Sequence, residues 1–184
     1  MWIFPLIATV ISALFAGIVF RQYLARRNSA HLAWAFALFL FGLGTACDFL
    51  ANVSGWTPLL ARTYYLVGAM VVVGYLALGT LYLLAPRAVA RAWLAIMVVL
   101  TVVAIVLLSG AGIDPVKLKS DTDPGWHAID RSALIKIIMI TINSFGTLIN
   151  SGDAFFHAAP RPLTATHVRI PLGPFNLASP GSPP

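Results

Sequence analysis

Polar residues along this chain come in short clusters, and the stretches between them are almost wholly apolar. Five apolar runs stand out, at roughly 2–20, 32–53, 62–84, 92–110 and 133–156. Each is close to the ~20 residues that a helix needs to cross the hydrocarbon core of a bilayer. The pattern therefore predicts an all-α, polytopic transmembrane bundle occupying residues 1–157. The first run has no basic segment before it and is followed by RQYLARR, the reverse of a cleaved signal peptide, so it is expected to remain as an anchor. The longest break, GAGIDPVKLKSDTDPGWHAIDR, is polar with two prolines and reads as a surface loop. Residues 158–184 hold seven prolines and no helical period, which predicts a disordered tail.

Within the runs, helical periodicity sorts polar and small residues onto faces. At about 100° per residue, Tyr64, Gly68, Tyr75, Gly79 and Tyr82 of the third span fall within about 60° of one another and predict a packing face. The same stripe would also serve as an aromatic wall for a lipid-like or quinone-like ligand. In the fifth span Lys136, Asn143, Thr147 and Asn150 share a face, with Gly146 and Asp153 toward one edge. Polar side chains at membrane depth must find partners inside the bundle or mark a functional path. In the second span Thr45, Asp48 and Asn52 lie on one side. Asp48 and Lys136 each sit about one turn from the same end of their helices, so they are expected to form an intramembrane ion pair, with Arg62 as the rival partner of Asp48.

Composition narrows the chemistry. Of the 184 residues 59% are hydrophobic and 10% charged, whereas a soluble domain has about a quarter charged. There is no Glu, and the six acids are all Asp, so neither a carboxylate-rich metal cage nor a Glu general base can be assembled. Cys47 is the only cysteine, and no phosphate loop, GxSxG, HExxH or CxxC occurs. No enzyme activity, resident cofactor or metal is expected. The formal charge of +6 is scattered in ones and twos beside apolar runs, which argues for membrane orientation and against nucleic acid. Arg21, Arg26, Arg27, Arg87, Arg91, Arg161 and Arg169 fall on one side of the predicted topology. The positive-inside rule then places the N-terminus outside and the C-terminus in the cytoplasm of an inner-membrane protein. SGWTPLLAR and PGWHAIDRS on the opposite side read as interfacial anchors. His31 and His157, both near the inner boundary, are the candidates for axial haem ligands.

The segments YLARRNSAHLAWAFALFLFGLGTACDFLANVSGWTPLLARTYYLVGA and LALGTLYLLAPR resemble a group of uncharacterised bacterial multi-pass membrane proteins. Members of that group are laid out as seven helices, similar to the membrane sensor half of some histidine kinases, and the chain is similar to a form shortened to five. The resemblance spans roughly residues 20–155 and implies no established activity. The expectation is a non-enzymatic accessory, assembly or sensor-like membrane module. Its partners would be the lipid bilayer and other membrane subunits or further copies of itself. The alternatives are a small transporter or channel-like protein using the polar face of the fifth helix, and a haem- or quinone-binding subunit.

Overall fold

The computed structural model describes residues 3–118 and 125–158. The Pro-rich tail from 159 onward, part of the long loop, and the side chains of Asp153 and His157 lie outside the described residues. The chain forms α1 (Ile3–Arg26), α2 (Ser29–Ser54), α3 (Pro58–Tyr64), a π-helical segment (Tyr65–Val71), α4 (Val72–Leu84), α5 (Arg87–Gly110), the short α6 (Pro115–Leu118), a 3₁₀ turn (Gly125–Ala128) and α7 (Ala133–Ala158). Helix α3, the π segment and α4 run on as one span, Pro58–Leu84, so among the described residues five helices are long and apolar enough to cross a membrane. The predicted all-α transmembrane bundle is what the structure contains.

Helices α2, α3 and α5 begin earlier than the apolar runs because local chain chemistry, a side-chain cap for α2 and α3 and a proline for α5, sets where they start. The Asn28 side chain accepts from the Ala30 N–H at 3.0 Å, and Thr57 Oγ1 accepts from the Leu60 N–H at 3.2 Å with Pro58 opening the helix. Pro86, with φ −55°, precedes α5 and carries no side-chain cap. Arg27 links α1 to α2 with φ 52°, a left-handed conformation that glycine or asparagine adopts more cheaply.

The third span is the centre of the bundle. Over its most apolar stretch 56% of residues are buried, against 11% for α1. Helix α1 packs on α2, α2 on the third span, and α5 and α7 on the third span and on each other. Small residues allow these approaches. A Cβ on Gly42 would meet Ser12 Cβ of α1 at 3.4 Å, and one on Gly146 would meet the Val73 carbonyl oxygen at 3.0 Å. Gly79 lies directly beneath the Trp34 indole, where a side chain has no room. The core is filled by Tyr65, Met70, Val71, Met97, Ile135 and Ile142.

Candidate functional site

The amides of α7 reach the third span. Asn143 Nδ2 donates to the Ala69 carbonyl at 2.7 Å, and Thr80 Oγ1 donates to Asn150 Oδ1 at 2.9 Å. Trp93 Nε1 of α5 donates to the Gly74 carbonyl at 3.0 Å. Two of these bonds land on backbone carbonyls in or just past the π segment. In such a stretch the i→i+5 bonding upsets the ordinary ladder, and neighbouring helices can satisfy the groups it frees. Tyr65 is buried in the same segment, and its hydroxyl points to Met139 Sδ of α7 at 3.2 Å.

These contacts correct two expectations. The polar face of α7 was expected to meet that of α2, with Asp48 paired to Lys136. Instead Asp48 Oδ1 accepts from Asn52 Nδ2 at 3.2 Å within α2 itself. Lys136 is exposed and lines a surface cleft with Asp114, His127 and Asp130 at the loop end. Arg62, the rival partner, donates from Nη2 to the Ala111 carbonyl at 2.9 Å and so ties the start of the third span to the end of α5. Among the described residues the single salt bridge is Lys117–Asp114, at 3.9 Å and exposed. The physical reason is helix order: α2 and α7 each pack on the third span, which keeps their polar faces apart.

The tyrosine–glycine stripe of the third span also divides. Equal rotation per residue holds only for an unbroken α-helix, and one extra residue in a π turn rotates everything beyond it by roughly 100°. Tyr64 stacks edge-on against Trp56 at 5.6 Å, and a Cβ on Gly68 would face open space. Beyond the π segment Tyr75 is buried, packs edge-on against Phe36 at 5.0 Å, and shares a hydrogen bond with Thr101 at 3.2 Å. Gly79 receives Trp34, and Tyr82 stands half-buried at the opposite end. The packing face is therefore carried by Tyr75 and Gly79, whereas Tyr64 and Gly68 line an opening.

That opening is a cleft of about 390 Å³ floored by the π segment (Tyr64, Tyr65, Gly68 and Ala69) and walled by α2 (Phe41, Gly44, Thr45) and by Arg131 and Met139. Gly44 brings α2 close to the π segment, and Gly68, which carries no side chain, leaves the space beside it open. A Cβ on Gly44 would stand 3.3 Å from Val67 Cγ2 and 3.6 Å from the Gly68 Cα, whereas one on Gly68 would meet nothing within 4 Å. The lining is mostly apolar with a few polar groups, the usual character of a small-molecule site. Thr45 is fixed by a bond between its hydroxyl and that of Thr9 in α1, 3.0 Å long. Asp48, one turn along α2, lies within electrostatic reach of Tyr64.

Of the two candidate haem ligands only His31 can be placed, since the side chain of His157 lies outside the described residues. Among the described residues no three His, Cys, Asp or Glu side chains come together. His31 rests edge-on against Trp34 at 6.2 Å, with its Nδ1 buried and unpartnered. Sequence reasoning singled out Asn143, Asn150, Tyr64 and Gly68, read Arg131 only as part of an interfacial anchor, and missed Gly44, Tyr65 and Met139. Only Gly44, lying on the same side of its helix as Thr45 and Asp48 or close to it, left a trace in the sequence. Compared with protein-family models, with curated proteins and with solved structures, the chain matches none.

Proposed function

We propose that the protein is a non-enzymatic, sensor-like or accessory module of the inner membrane that holds a small apolar or amphiphilic ligand against the π-helical stretch of its third span. The observation that carries this reading is the cleft of about 390 Å³ whose floor is the π segment and which stays open where Gly68 carries no side chain. π-helical turns recur at functional sites, and a ligand seated there would act on a stretch already held by an interhelical bond from Asn143. A quinone-like ring or a lipid chain fits the chemistry of Phe41, Tyr64 and Met139. Transport is less well supported, because Asn143 and Asn150 are engaged with the third span and do not line a passage. We further propose that the end bearing Arg27, Arg87 and Arg91 faces the cytoplasm, as the arginine distribution favours. A reporter fused at residue 160 should then behave as cytoplasmic.

The test is gentle extraction followed by mass spectrometry of bound apolar molecules. The native chain should retain one such molecule, and Gly68→Leu, whose side chain enters open space and fills the cleft, should fold equally well and lose it. A native chain that carries none, or a variant that carries as much, overturns the reading.

A further inference from the structure

At the end of the bundle away from that cleft, a second opening of about 540 Å³ is lined by Arg27, Asn28, Ser29, Tyr82, Arg87 and Arg91. Three guanidinium groups from two separate links converge here, Arg27 between α1 and α2, and Arg87 and Arg91 at the start of α5. No described acidic side chain pairs with them. The one acid toward this end of the sequence is Asp153, whose side chain lies outside the described residues.

Each arginine stands against a local preference. Arg27 holds φ 52°, where glycine or asparagine is favoured. Arg87 and Arg91 occupy the first turns of α5, the positive end of a helix dipole where acidic side chains are preferred, and at i and i+4 they repel each other. Helix α2 also opens toward this cleft, with no acidic residue in its first turn. An anion in the cleft offsets the repulsion between Arg87 and Arg91 and suits the helix starts that lack an acidic residue, while the left-handed backbone of Arg27 remains. Tyr82 supplies a hydroxyl, and the exposed Leu83 and Leu84 beside it give acyl chains a path along the bundle.

We propose that this cleft binds the phosphate of an anionic phospholipid headgroup, held by Arg27, Arg87 and Arg91 with Tyr82 at the headgroup level. Guanidinium forks match phosphate oxygens, and basic pockets between transmembrane helices are suited to such headgroups. A soluble phosphate shares the anionic chemistry but has no use for the apolar flank. The site is independent of the reading given above for the π-helical cleft.

The full chain, purified in neutral detergent, is titrated with phosphatidylglycerol, phosphatidylcholine and inorganic phosphate, and binding is read by native mass spectrometry. Phosphatidylglycerol should bind at least about tenfold more tightly than phosphatidylcholine, and inorganic phosphate should not displace it at equal concentration. Arg27→Gly and Arg91→Gln should each weaken phosphatidylglycerol by about fivefold. Arg27→Gly also relieves the left-handed backbone, so its melting temperature without lipid should equal or exceed that of the native chain. Arg21→Gln, on α1 outside the cleft, is the control and should bind as the native chain does. Equal binding of the two lipids overturns the proposal, as do arginine variants that bind phosphatidylglycerol unchanged. Displacement by inorganic phosphate with the same arginine dependence would assign the site to a soluble anion, which also overturns it.

Discussion

Replacing Asn143 with Leu keeps a side chain of similar shape on α7 while deleting the donor that reaches the Ala69 carbonyl at 2.7 Å. Asn143 lies ten residues past the start of α7 at Ala133, about 15 Å along a helix and so near mid-membrane, where no water can take the place of the lost bond. Interhelical hydrogen bonds in membrane proteins average about 0.6 kcal/mol and reach about 1.7. A short bond onto a carbonyl of a π segment belongs toward the upper end, because that stretch lacks the regular ladder. The second bond of the same amide, to Met139 O at 2.8 Å, stays within α7 and adds little to helix association. Asn143→Leu should therefore cost about 1–2 kcal/mol. Asn52→Leu is the contrast: that amide is exposed and bonds only to Asp48 of its own helix, so its loss should stay within about 0.5 kcal/mol. Reversible unfolding in mixed micelles, followed by tryptophan fluorescence, measures both. The reasoning fails if Asn143→Leu matches the native chain, or if Asn52→Leu costs as much.

Gly79→Leu drives a side chain into the Trp34 indole and should cost about 1–3 kcal/mol or block folding, seen as a lower yield of folded protein in detergent. A cycle of Asp48→Asn, Lys136→Met and the double variant should give additive effects, since the two groups do not meet; a coupling above about 0.5 kcal/mol would restore the ion pair. Arg62→Met removes the 2.9 Å bond to Ala111 and should lower stability by about 1–3 kcal/mol in the same unfolding assay, whereas an unchanged value would mean that water already serves that carbonyl.

The five spans were legible because the bilayer imposes a length and a composition that almost nothing else imitates. Their ends were read less well. Helix α5 was expected from residue 92 and begins at Arg87, since hydropathy responds to charge whereas a helix start responds to Pro86 and the chain turn before it. Arg87 and Arg91 thereby become part of a helix surface instead of a connector, and the second cleft was invisible for that reason. The stripe of the third span was misread from a different cause. Nothing in YLVGAMV departs from an ordinary apolar helix, yet the π segment shifts the phase between Gly68 and Tyr75.

The pairing of α7 failed for a reason that applies to membrane bundles in general. Asn143 and Asn150 stand out in the sequence as groups in need of partners, and the polar side chains of another helix are the partners that a sequence displays. For Asn150 such a partner exists, since it meets Thr80. For Asn143 the acceptor is the backbone carbonyl of Ala69, a group that every residue carries. Periodicity reveals donors on one helix and side-chain acceptors on another, but it is blind to a carbonyl that becomes available because its own helix has changed pitch. The third span bonds its neighbours partly through the side chains of Tyr65, Tyr75 and Thr80 and partly through the carbonyls of Ala69 and Gly74. The side-chain partners are open to a periodicity argument, whereas the two carbonyls leave no mark on it.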